Sequence, residues 1–294
     1  MTLGVRARLK AAASRALAPA VKQRLKRLIR TSQATLFPFT PDDLTRRLRQ
    51  LGVARGDALM VHSAFDKFVG FRGGPLEVIR ALQDLLGPEG TLLMPTMPFR
   101  GGAIEYARSD PVFDARHTVS QMGLITEVFR RSRGVVRSLH PTHSVAAWGR
   151  CAELMIAGHE QADTPCGRRS PYARLLEQDG KILLAGVVDH TLSFGYFVVE
   201  ELAPRLAFPV LTKERYPLRW KGRDGTMGAS HLRLYSPRLD HDMGPMVREL
   251  KRRKQWHEGR VGRLRLVLVL ARDIWSTGMA LADRGAFPKD RPVG

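Results

Sequence analysis

The chain has 294 residues, enough to bury one large hydrophobic core or one core with an added lobe. No apolar run reaches 18 residues, which argues against a membrane-spanning protein. Two cysteines do not make a disulfide framework, and neither has a metal-binding spacing. The net charge of +20 favours acidic partners, namely phosphate-bearing cofactors, nucleic acids or anionic membrane surfaces. Cys151 and Cys166 are expected as buried free thiols of a cytoplasmic protein.

Residues 1–35 are strongly basic and contain no acidic residue. Their apolar residues recur at roughly helical spacing, and Pro19 interrupts the pattern. Three interpretations are open: a helix packed on the protein body, a helix at an anionic membrane surface, and an arm that binds nucleic acid. We predict a basic amphipathic helical extension over 1–35, with the surface of the inner membrane as one candidate location and no specific nucleic acid as a partner.

Strands and helices alternate from residue 36 onward, and residues 36–294 are predicted as one domain. Thr40 and Pro41 begin a helix with Thr40 as its N-cap and acidic residues in its first turn. A strand at 58–62, a helix that starts near Pro75 and a strand at 91–95 make a βαβ unit. Residues 97–118 are expected as a long loop of the kind that forms lids and binding sites.

The second half of the chain continues the alternation. The predicted elements are a helix at 122–131, a helix at 151–157, a strand at 182–188, a helix at 198–206, β-structure from about 205 to 240, a helix after Asp240, a strand at 264–271 and a last helix. The predicted fold class is α/β, a single domain with a mostly parallel central sheet flanked by helices, plus a small β-containing lobe.

Residues 135–149 concentrate polar and basic side chains between two short apolar runs. Loops between buried strands often carry functional residues, so this loop is the first candidate site. The alternative is a turn whose histidines cap backbone groups, since Pro141 disfavours helix here. The side chains concerned are Arg137, Ser138, His140, Thr142, His143 and Ser144.

This loop reads R-S-L-H-P-T-H-S-V-A-A-W-G, which resembles the R-S-x-H-P-x-x-S-x-x-A-x-G signature of the aminoglycoside 3-N-acetyltransferase family. Other segments resemble family segments in the family's order, from about residue 42 to residue 273. They are the V-H-S-A-F segment at 61–65, G-T-L-L-M-P-T at 90–96, F-D at 113–114, the M-G, E and F-R pattern at 122–130, G-x-x-S-P at 167–171 and L-L-A-G at 183–186.

The resemblance implies a coenzyme A site lined by the loops that follow the strands. Hydroxyl and backbone N–H groups in such turns suit phosphates and pantetheine-like amides. Each serine could equally be a turn cap. Carried over residue by residue, the resemblance places the following side chains near the cofactor: His62, Ser63, Arg137, Ser138 and Ser144.

N-acetylation needs a base, because an alkylammonium group must lose a proton as it attacks a thioester. The resembled family supplies a histidine and a glutamate from a T-x-x-H-x-x-E segment after the L-L-x-G strand. If Glu200 matches the glutamate, the histidine position falls on Phe197, and if Thr191 is the anchor, it falls on Phe194. This chain therefore lacks the family histidine at the expected position.

Several replacements for that base remain open. His190, on the loop after the strand, is the leading candidate, and His140 is the second. His143 is a further choice, and loss of the base altogether is another.

The segment R-L-D-H-D at 238–242 resembles the family's N-D-H segment, whose aspartate lies near the amino-sugar site. Asp240 or Asp242 could pair with a cationic substrate, and Asp240 with His241 is a further candidate pair for proton transfer. The alternative is a helix N-cap. Glu127 is a weaker candidate.

A metal-dependent hydrolase is a competing interpretation of the histidines and aspartates of these two segments. Pro141 breaks the helix that would align His140 with His143, and nothing in the sequence fixes the distance to Asp240, His241 or Asp242. No metal site is predicted.

The resemblance implies an acetyl-CoA-dependent N-acetyltransferase, a type of enzyme associated with antibiotic resistance. It would act on an amine of an aminoglycoside or other amino sugar by direct attack in a ternary complex. The alternative is a catalytically altered family member that binds CoA or a protein partner, with a membrane association through residues 1–35.

Overall fold

The computed structural model describes residues 34–291. Residues 1–33, which hold most of the basic segment and its predicted helix, lie outside the described residues. The domain division near residue 35 and the membrane contact therefore stay predictions. Within 34–291, no helix combines the length and the apolar character that crossing a bilayer requires.

Ten strands form two sheets in the described residues. The strands are β1 (Ala58–Ser63), β2 (Thr91–Pro95), β3 (Val112–Asp114), β4 (Val136–Arg137), β5 (Val145–Gly149), β6 (Lys181–Ala185), β7 (Tyr216–Lys221), β8 (Met227–Leu232), β9 (His257–Val261) and β10 (Leu264–Leu270). The large sheet has the order β4-β5-β2-β1-β6-β10-β9, and the small one has the order β3-β7-β8.

The predicted α/β class is confirmed, but the central sheet is mixed rather than mostly parallel. Only β1 pairs in parallel, with β2 and with β6. The outer strands all pair antiparallel. The reason lies in the connections: residues 262–263 join β9 to β10 and residues 138–144 join β4 to β5, and both links are too short for a parallel crossover.

Helices cover both faces of the large sheet. They are α1 (Pro41–Leu51), α2 (Pro75–Leu86), α3 (Ala103–Arg108), α4 (Leu124–Arg131), α5 (Ala152–Ile156), α6 (Pro171–Glu177), α7 (Phe194–Leu202), α8 (Gly244–Arg252) and α9 (Ala271–Ala282). Because successive strand residues face opposite sides, Leu59 and Val61 pack with α1, α2 and α4, whereas Met60 packs with α5 to α9. The core therefore has two layers, one on each face of the sheet.

The predicted start of α1 is confirmed by its capping box. Thr40 Oγ1 accepts a hydrogen bond from the Asp43 N–H at 3.2 Å, and the Asp43 carboxylate accepts one from the Thr40 N–H at 2.9 Å. The helix ends at Gly52, whose φ of +108° is a conformation that glycine adopts at little cost.

The predicted β-containing lobe is confirmed, with one strand from elsewhere in the chain. Strands β7 and β8 form its hairpin, and β3 adds to β7 in parallel. Residues 97–118 are consequently not one loop, because they contain both α3 and β3. A strand of three residues is too short to show a periodic pattern, which is why the sequence did not reveal it.

Candidate active site

The carboxyl ends of the parallel strands meet at one edge of the large sheet, where ligands of open α/β sheets bind. Two adjoining cavities lie there. The aromatic cavity has a volume of about 490 Å³ and is bounded chiefly by Phe99, Arg100, His143, Tyr196, Tyr235 and His241. The narrow cavity has a volume of about 240 Å³ and is bounded chiefly by His62, Ser63, Pro95, Thr126 and Val187. They share Met97, Met122, Ser193 and Tyr196.

A third space, the basic cavity, adjoins the narrow cavity at Val187. Its volume is about 620 Å³. Its charged lining residues are Lys67, Asp189, Arg260, Arg263 and Arg265. A basic compartment, a narrow passage and an aromatic compartment thus follow one another along the edge of the sheet.

Helix α7 and the residue before it contribute one side of the central passage. Ser193 and Tyr196 line both the aromatic and the narrow cavity. Residues three or four apart share a helix face, so Glu200 lies on the same side of α7 as Tyr196. Phe194 and Phe197 are almost fully buried in the core, where Phe197 stacks on Trp275 at 5.3 Å between ring centroids.

Glu200 is buried behind the aromatic cavity and holds Tyr235. Its Oε1 accepts a hydrogen bond from the Tyr235 hydroxyl at 2.6 Å and another from the Cys166 N–H at 2.8 Å. Burial raises the pKa of Glu200 to about 7, against the hydrogen bonds that favour its charged form. The carboxyl group therefore fixes the ring of Tyr235 in the cavity wall.

This raised pKa predicts a pH dependence of stability. Between the ordinary glutamate pKa of 4.5 and about 7, the folded protein keeps a proton that the unfolded chain has lost. The free energy of unfolding should therefore fall as pH rises through this window. Glu200→Gln should reduce the decrease in the free energy of unfolding with pH. Glu177→Gln, at an exposed position, should leave it unchanged. Urea unfolding from about pH 5 to about pH 8 measures it, and an equal slope in all three proteins would contradict the assignment.

Tyr196 and His241 form a second hydrogen-bonded pair at the aromatic cavity. The Tyr196 hydroxyl lies 2.9 Å from Nδ1 of His241. Burial raises the pKa of Tyr196 to about 12, so the phenol keeps its proton at neutral pH and can donate a hydrogen bond to an unprotonated Nδ1. Partial burial lowers the pKa of His241, an effect that Arg291 reinforces and Asp240 opposes. His241 is therefore neutral near pH 7, and in the tautomer that carries its proton on Nε2 it accepts this hydrogen bond.

His140 is fully buried and does not line the aromatic cavity. Its Nδ1 accepts a hydrogen bond from the His143 N–H at 3.0 Å, and its ring packs on His159 at 4.4 Å between centroids. Burial holds the pKa of His140 well below its usual range. The structure thus gives His140 the role of a loop cap, which is the alternative weighed from the sequence, and does not support its choice as base.

His143 is the histidine of this loop that reaches the aromatic cavity. Its ring meets Phe99 at 5.7 Å and Tyr235 at 5.8 Å between centroids, both edge-on. Its Nδ1 lies 3.0 Å from the hydroxyl of Thr142. Burial lowers the pKa of His143 to about 3, so this ring is neutral and a poor proton acceptor.

Arg137 is also turned inward. Its guanidinium donates hydrogen bonds to the carbonyl oxygens of Thr96 and Thr118, each at 2.6 Å, and lies 4.6 Å from the ring centroid of Phe113. Burial lowers its pKa to about 9. The side chain ties the end of β2 to the segment before α4, so the phosphate contact expected from the sequence finds no support.

The two serines of the same loop have internal partners as well. Ser144 Oγ donates to the Thr96 carbonyl at 3.0 Å. Ser138 Oγ accepts from the Val145 N–H at 2.9 Å and lies 3.0 Å from Nδ1 of His159. Both are buried and line none of the three cavities. Their predicted contact with a cofactor therefore has no support in this geometry.

His62 and Ser63, at the end of β1, do line the narrow cavity. His62 Nε2 lies 3.3 Å from Ser193 Oγ, and burial lowers the pKa of His62 to about 4. Ser63 is buried, and its hydroxyl has no hydrogen-bond partner within 34–291. A buried donor without a partner is costly, so this hydroxyl is suited to a ligand group in the passage.

Residues 60–282 match the family model described as aminoglycoside 3-N-acetyltransferase. The chain belongs to the aminoglycoside 3-N-acetyltransferase family. It is 32% identical over 267 residues to aminoglycoside N(3)-acetyltransferase VII of Streptomyces paromomycinus, covering 83% of this chain and 91% of the relative. This match confirms the resemblance found in the sequence.

Two solved structures are similar to this chain over most of its length. AAC-IIIb in a binary complex with CoASH is 27% identical, covers 87% of this chain and 99% of its own, and has a TM-score of 0.71. AAC-VIa bound to sisomicin is also 27% identical, covers 84% of this chain and 98% of its own, and has a TM-score of 0.70.

The position of the family histidine can now be located in the fold. Both alternatives, Phe194 and Phe197, are core residues that line neither the aromatic nor the narrow cavity. His190 belongs to the short turn Asp189–Thr191, and its side chain lies outside the described residues. Its role therefore stays a prediction.

The acidic candidates are engaged in local structure. Asp240 Oδ1 accepts the Asp242 N–H at 3.1 Å, and Asp242 Oδ1 accepts the Gly244 N–H at 2.8 Å, so both shape the turn before α8. Glu127 pairs with Arg130 at 2.5 Å. Within 34–291 no cluster of three or more potential ligands is arranged to bind a metal ion.

Sequence reasoning missed the aromatic walls of the site. Tyr196 had one available signal, since it lies four residues before Glu200 and thus on the same face of α7. No signal in the sequence marked Tyr235, Phe99 or Arg100 as site residues. They belong to a lobe and a loop whose approach to α7 depends on tertiary contacts.

Proposed function

We propose that this protein transfers the acetyl group of acetyl-CoA to an amine of an aminoglycoside or another amino sugar, by direct attack in a ternary complex. The observation that carries the proposal is the succession of a basic, a narrow and an aromatic cavity at the carboxyl end of the sheet. Among its structural relatives, one is bound to CoASH and another to sisomicin.

The basic and narrow cavities fit the two halves of coenzyme A. Phosphate groups would take the basic cavity, where Arg260 and Arg263 are free of the carboxylates that engage Arg265. The pantetheine arm would take the narrow cavity, where the Ser63 hydroxyl lacks a protein partner. The acceptor would then enter from the aromatic cavity, and both would meet near Ser193 and Tyr196, which line both spaces.

Acetyl-CoA supplies the acetyl group as a thioester. The acceptor enters as an ammonium group with a pKa of about 10, so it loses one proton to become nucleophilic. A second proton leaves the nitrogen as the new C–N bond forms and the C–S bond breaks, and the departing thiolate takes up a proton. A direct attack of this kind needs no cysteine nucleophile, and burial raises the pKa of the Cys166 thiol far above its ordinary value.

The Tyr196–His241 pair is the best placed acceptor for a proton that leaves the amine of the acceptor. Tyr196 reaches both cavities and already donates to His241 Nδ1, so a proton taken by its oxygen can be matched by one passed to the imidazole. Glu200 acts one step away, by holding Tyr235, whose ring packs on that of Tyr196 at 4.8 Å between centroids. His190, the leading candidate from sequence, would compete for this role from the turn before α7.

CoA should raise the melting temperature of the protein, because a ligand bound only by the folded state stabilises it by about 2.7 kcal/mol at a hundredfold excess over Kd. The double variant Arg260→Ala/Arg263→Ala should weaken this shift. Arg46→Ala/Arg80→Ala, which removes two exposed arginines on α1 and α2, is the matched control. Thermal unfolding with millimolar CoA measures the effect, and no shift in the unsubstituted protein would rule out the cofactor site.

Turnover separates the enzyme from the alternative, a family member that binds CoA or a partner without catalysis. Thiol release from acetyl-CoA in the presence of amino sugars, with the acetylated product identified by mass, supports the enzyme. Stabilisation by CoA without any acceptor-dependent thiol release supports the alternative.

A further inference from the structure

The aromatic and the narrow cavity share four lining residues, and only two of these carry a side chain that donates hydrogen bonds. Met97 and Met122 offer thioether surface. Ser193 and Tyr196 offer hydroxyl groups. The proposed reaction joins an amine from one cavity to a thioester from the other, so the two shared hydroxyl groups are the side-chain donors best placed to act on the reacting carbonyl oxygen.

Tyr196 already has another role in the proposed mechanism. Its hydroxyl lies 2.9 Å from Nδ1 of His241, and this pair takes up the proton that leaves the amine. The single hydrogen of the phenol cannot point to His241 and to the carbonyl oxygen of the thioester at the same time. The Ser193 hydroxyl is therefore the remaining shared donor for the carbonyl oxygen.

Two side chains hold the Ser193 hydroxyl in place. Its Oγ lies 3.3 Å from Nε2 of His62 and 3.2 Å from the hydroxyl of Tyr172. Burial raises the pKa of Tyr172 well above its ordinary value, so the phenol keeps its hydrogen and can donate it to Oγ. A serine hydroxyl has one hydrogen and two acceptor sites, so with these neighbours on its acceptor side its own hydrogen is available to a ligand.

The surroundings of Ser193 suit a developing negative charge. The residue is only 7% exposed, and Tyr172 behind it is fully buried. Ser193 directly precedes the nine-residue helix α7, and the N-terminal end of a helix dipole favours negative charge. A donor that is already fixed in a site with little water stabilises an oxyanion more strongly than a mobile donor in water does.

The same geometry argues against Ser193 as a nucleophile. A serine nucleophile needs an adjacent base that takes its proton. Burial lowers the pKa of His62 to about 4, so this imidazole is a weak base, and its distance of 3.3 Å from Oγ is long for a hydrogen bond. Donation of a hydrogen bond requires no transfer of the Ser193 proton, so it does not depend on the basicity of His62.

We infer that Ser193 donates a hydrogen bond to the acetyl carbonyl oxygen and stabilises the oxyanion that forms during transfer. This inference rests on the proposed function, since it adds a catalytic residue to the same reaction. The amine nitrogen bonds to the carbonyl carbon, and an electron pair of the C=O bond moves to the oxygen, where Ser193 Oγ–H holds it.

The intermediate then collapses without a change in the protonation of Ser193. The C=O bond forms again and the C–S bond breaks. The proton taken from the nitrogen passes through the Tyr196–His241 pair to the departing thiolate. Ser193 thus acts on charge alone, and its removal should affect the rate of transfer more than the binding of either substrate.

Ser193→Ala should lower kcat by about 10²–10³, the usual effect of removing one oxyanion donor, with the Kd of CoA and the KM of the acceptor little changed. Ser193→Thr, which keeps a hydroxyl, should recover part of the rate. Ser276→Ala, which removes an exposed serine of α9, is the matched control and should leave kcat and KM unchanged. Thiol release from acetyl-CoA with sisomicin and with glucosamine as acceptors measures these rates.

Ser63→Ala separates stabilisation of the oxyanion from simple contact with the cofactor. Of the two cavities, Ser63 lines only the narrow one, where the pantetheine arm is proposed to lie. Its loss should therefore raise the Kd of CoA more than it lowers kcat. The reverse pattern, with kcat lost in Ser63→Ala and full activity in Ser193→Ala, would assign the oxyanion donor to Ser63 and overturn the inference.

The carbonyl stretch of bound acetyl-CoA gives a readout that does not depend on turnover. A hydrogen bond to the carbonyl oxygen weakens the C=O bond and lowers its stretching frequency. Infrared difference spectra with acetyl-CoA labelled at the carbonyl carbon should therefore show a lower frequency in the unsubstituted protein than in Ser193→Ala. Ser276→Ala should give the same frequency as the unsubstituted protein.

Equal kcat in Ser193→Ala and in the unsubstituted protein, or an equal carbonyl frequency in both, overturns the inference. An acetyl group found on Ser193 by mass spectrometry after mixing with acetyl-CoA also overturns it, because Ser193 would then be a nucleophile. Absence of thiol release with both acceptors contradicts the proposed function instead. The carbonyl frequency then decides on its own whether Ser193 binds the acetyl oxygen.

Discussion

His241→Ala should lower kcat by about 10²–10⁴ while leaving the Kd of CoA unchanged, because loss of a general base typically costs that much. His241 is the histidine that combines a place in the wall of the aromatic cavity with a hydrogen bond from Tyr196. Since partial burial lowers its pKa, the rate should rise with pH through a value below the ordinary 6.5. The variant should lack this rise.

Two further variants make the test of His241 specific. Tyr196→Phe keeps the ring but removes the hydroxyl that donates to Nδ1, so it should lower kcat with little change in CoA binding. His231→Ala, an exposed histidine of β8, is the control and should leave kcat and KM unchanged. Full activity of His241→Ala combined with a large loss in His190→Ala would return the role of base to the residue favoured by the sequence.

Arg137→Ala should destabilise the fold by about 1–3 kcal/mol, because it leaves the partly buried carbonyl group of Thr118 without a donor, whereas the Thr96 carbonyl keeps the hydrogen bond from Ser144 Oγ. A loss of this size lowers Tm by at least about 2 °C in a protein of this size. Thermal and urea unfolding measure it. The affinity of the remaining folded protein for CoA should be nearly unchanged.

The exposed Arg150 provides the comparison for Arg137. It lies at the end of β5 and pairs with Glu89 at the surface, so Arg150→Ala should cost less than about 1 kcal/mol. If Arg137→Ala melted like Arg150→Ala but bound CoA much more weakly, the phosphate contact expected from the sequence would be correct and the structural role wrong.

The sequence predicted those parts of the fold that depend on local chemistry. The Thr40 cap, the glycine end of α1 and the apolar strand at 91–95 follow from neighbouring residues alone, and all three are confirmed. Strand β3 escaped notice because its three residues gain their structure from β7, more than a hundred positions away. Pairing over such a distance leaves no periodic trace in the chain.

For the site, the sequence indicated the correct loops but not the direction of their side chains. His62 and Ser63 do face the narrow cavity, whereas Arg137, Ser138 and Ser144 turn inward from the loop most typical of the family. A strongly polar motif therefore marks a structural junction. The cavity walls come instead from residues whose surroundings are set by distant segments.

The order of the large sheet bears on self-association through strand addition. A long apolar strand at an edge is a template for another chain, and proteins avoid it with short or charged edge strands. Here one edge strand, β4, has only two residues. The other, β9, exposes His257, Glu258 and Arg260. Within 34–291 both edges of this sheet are thus blunted, and aggregation through cross-β pairing finds no starting point along them.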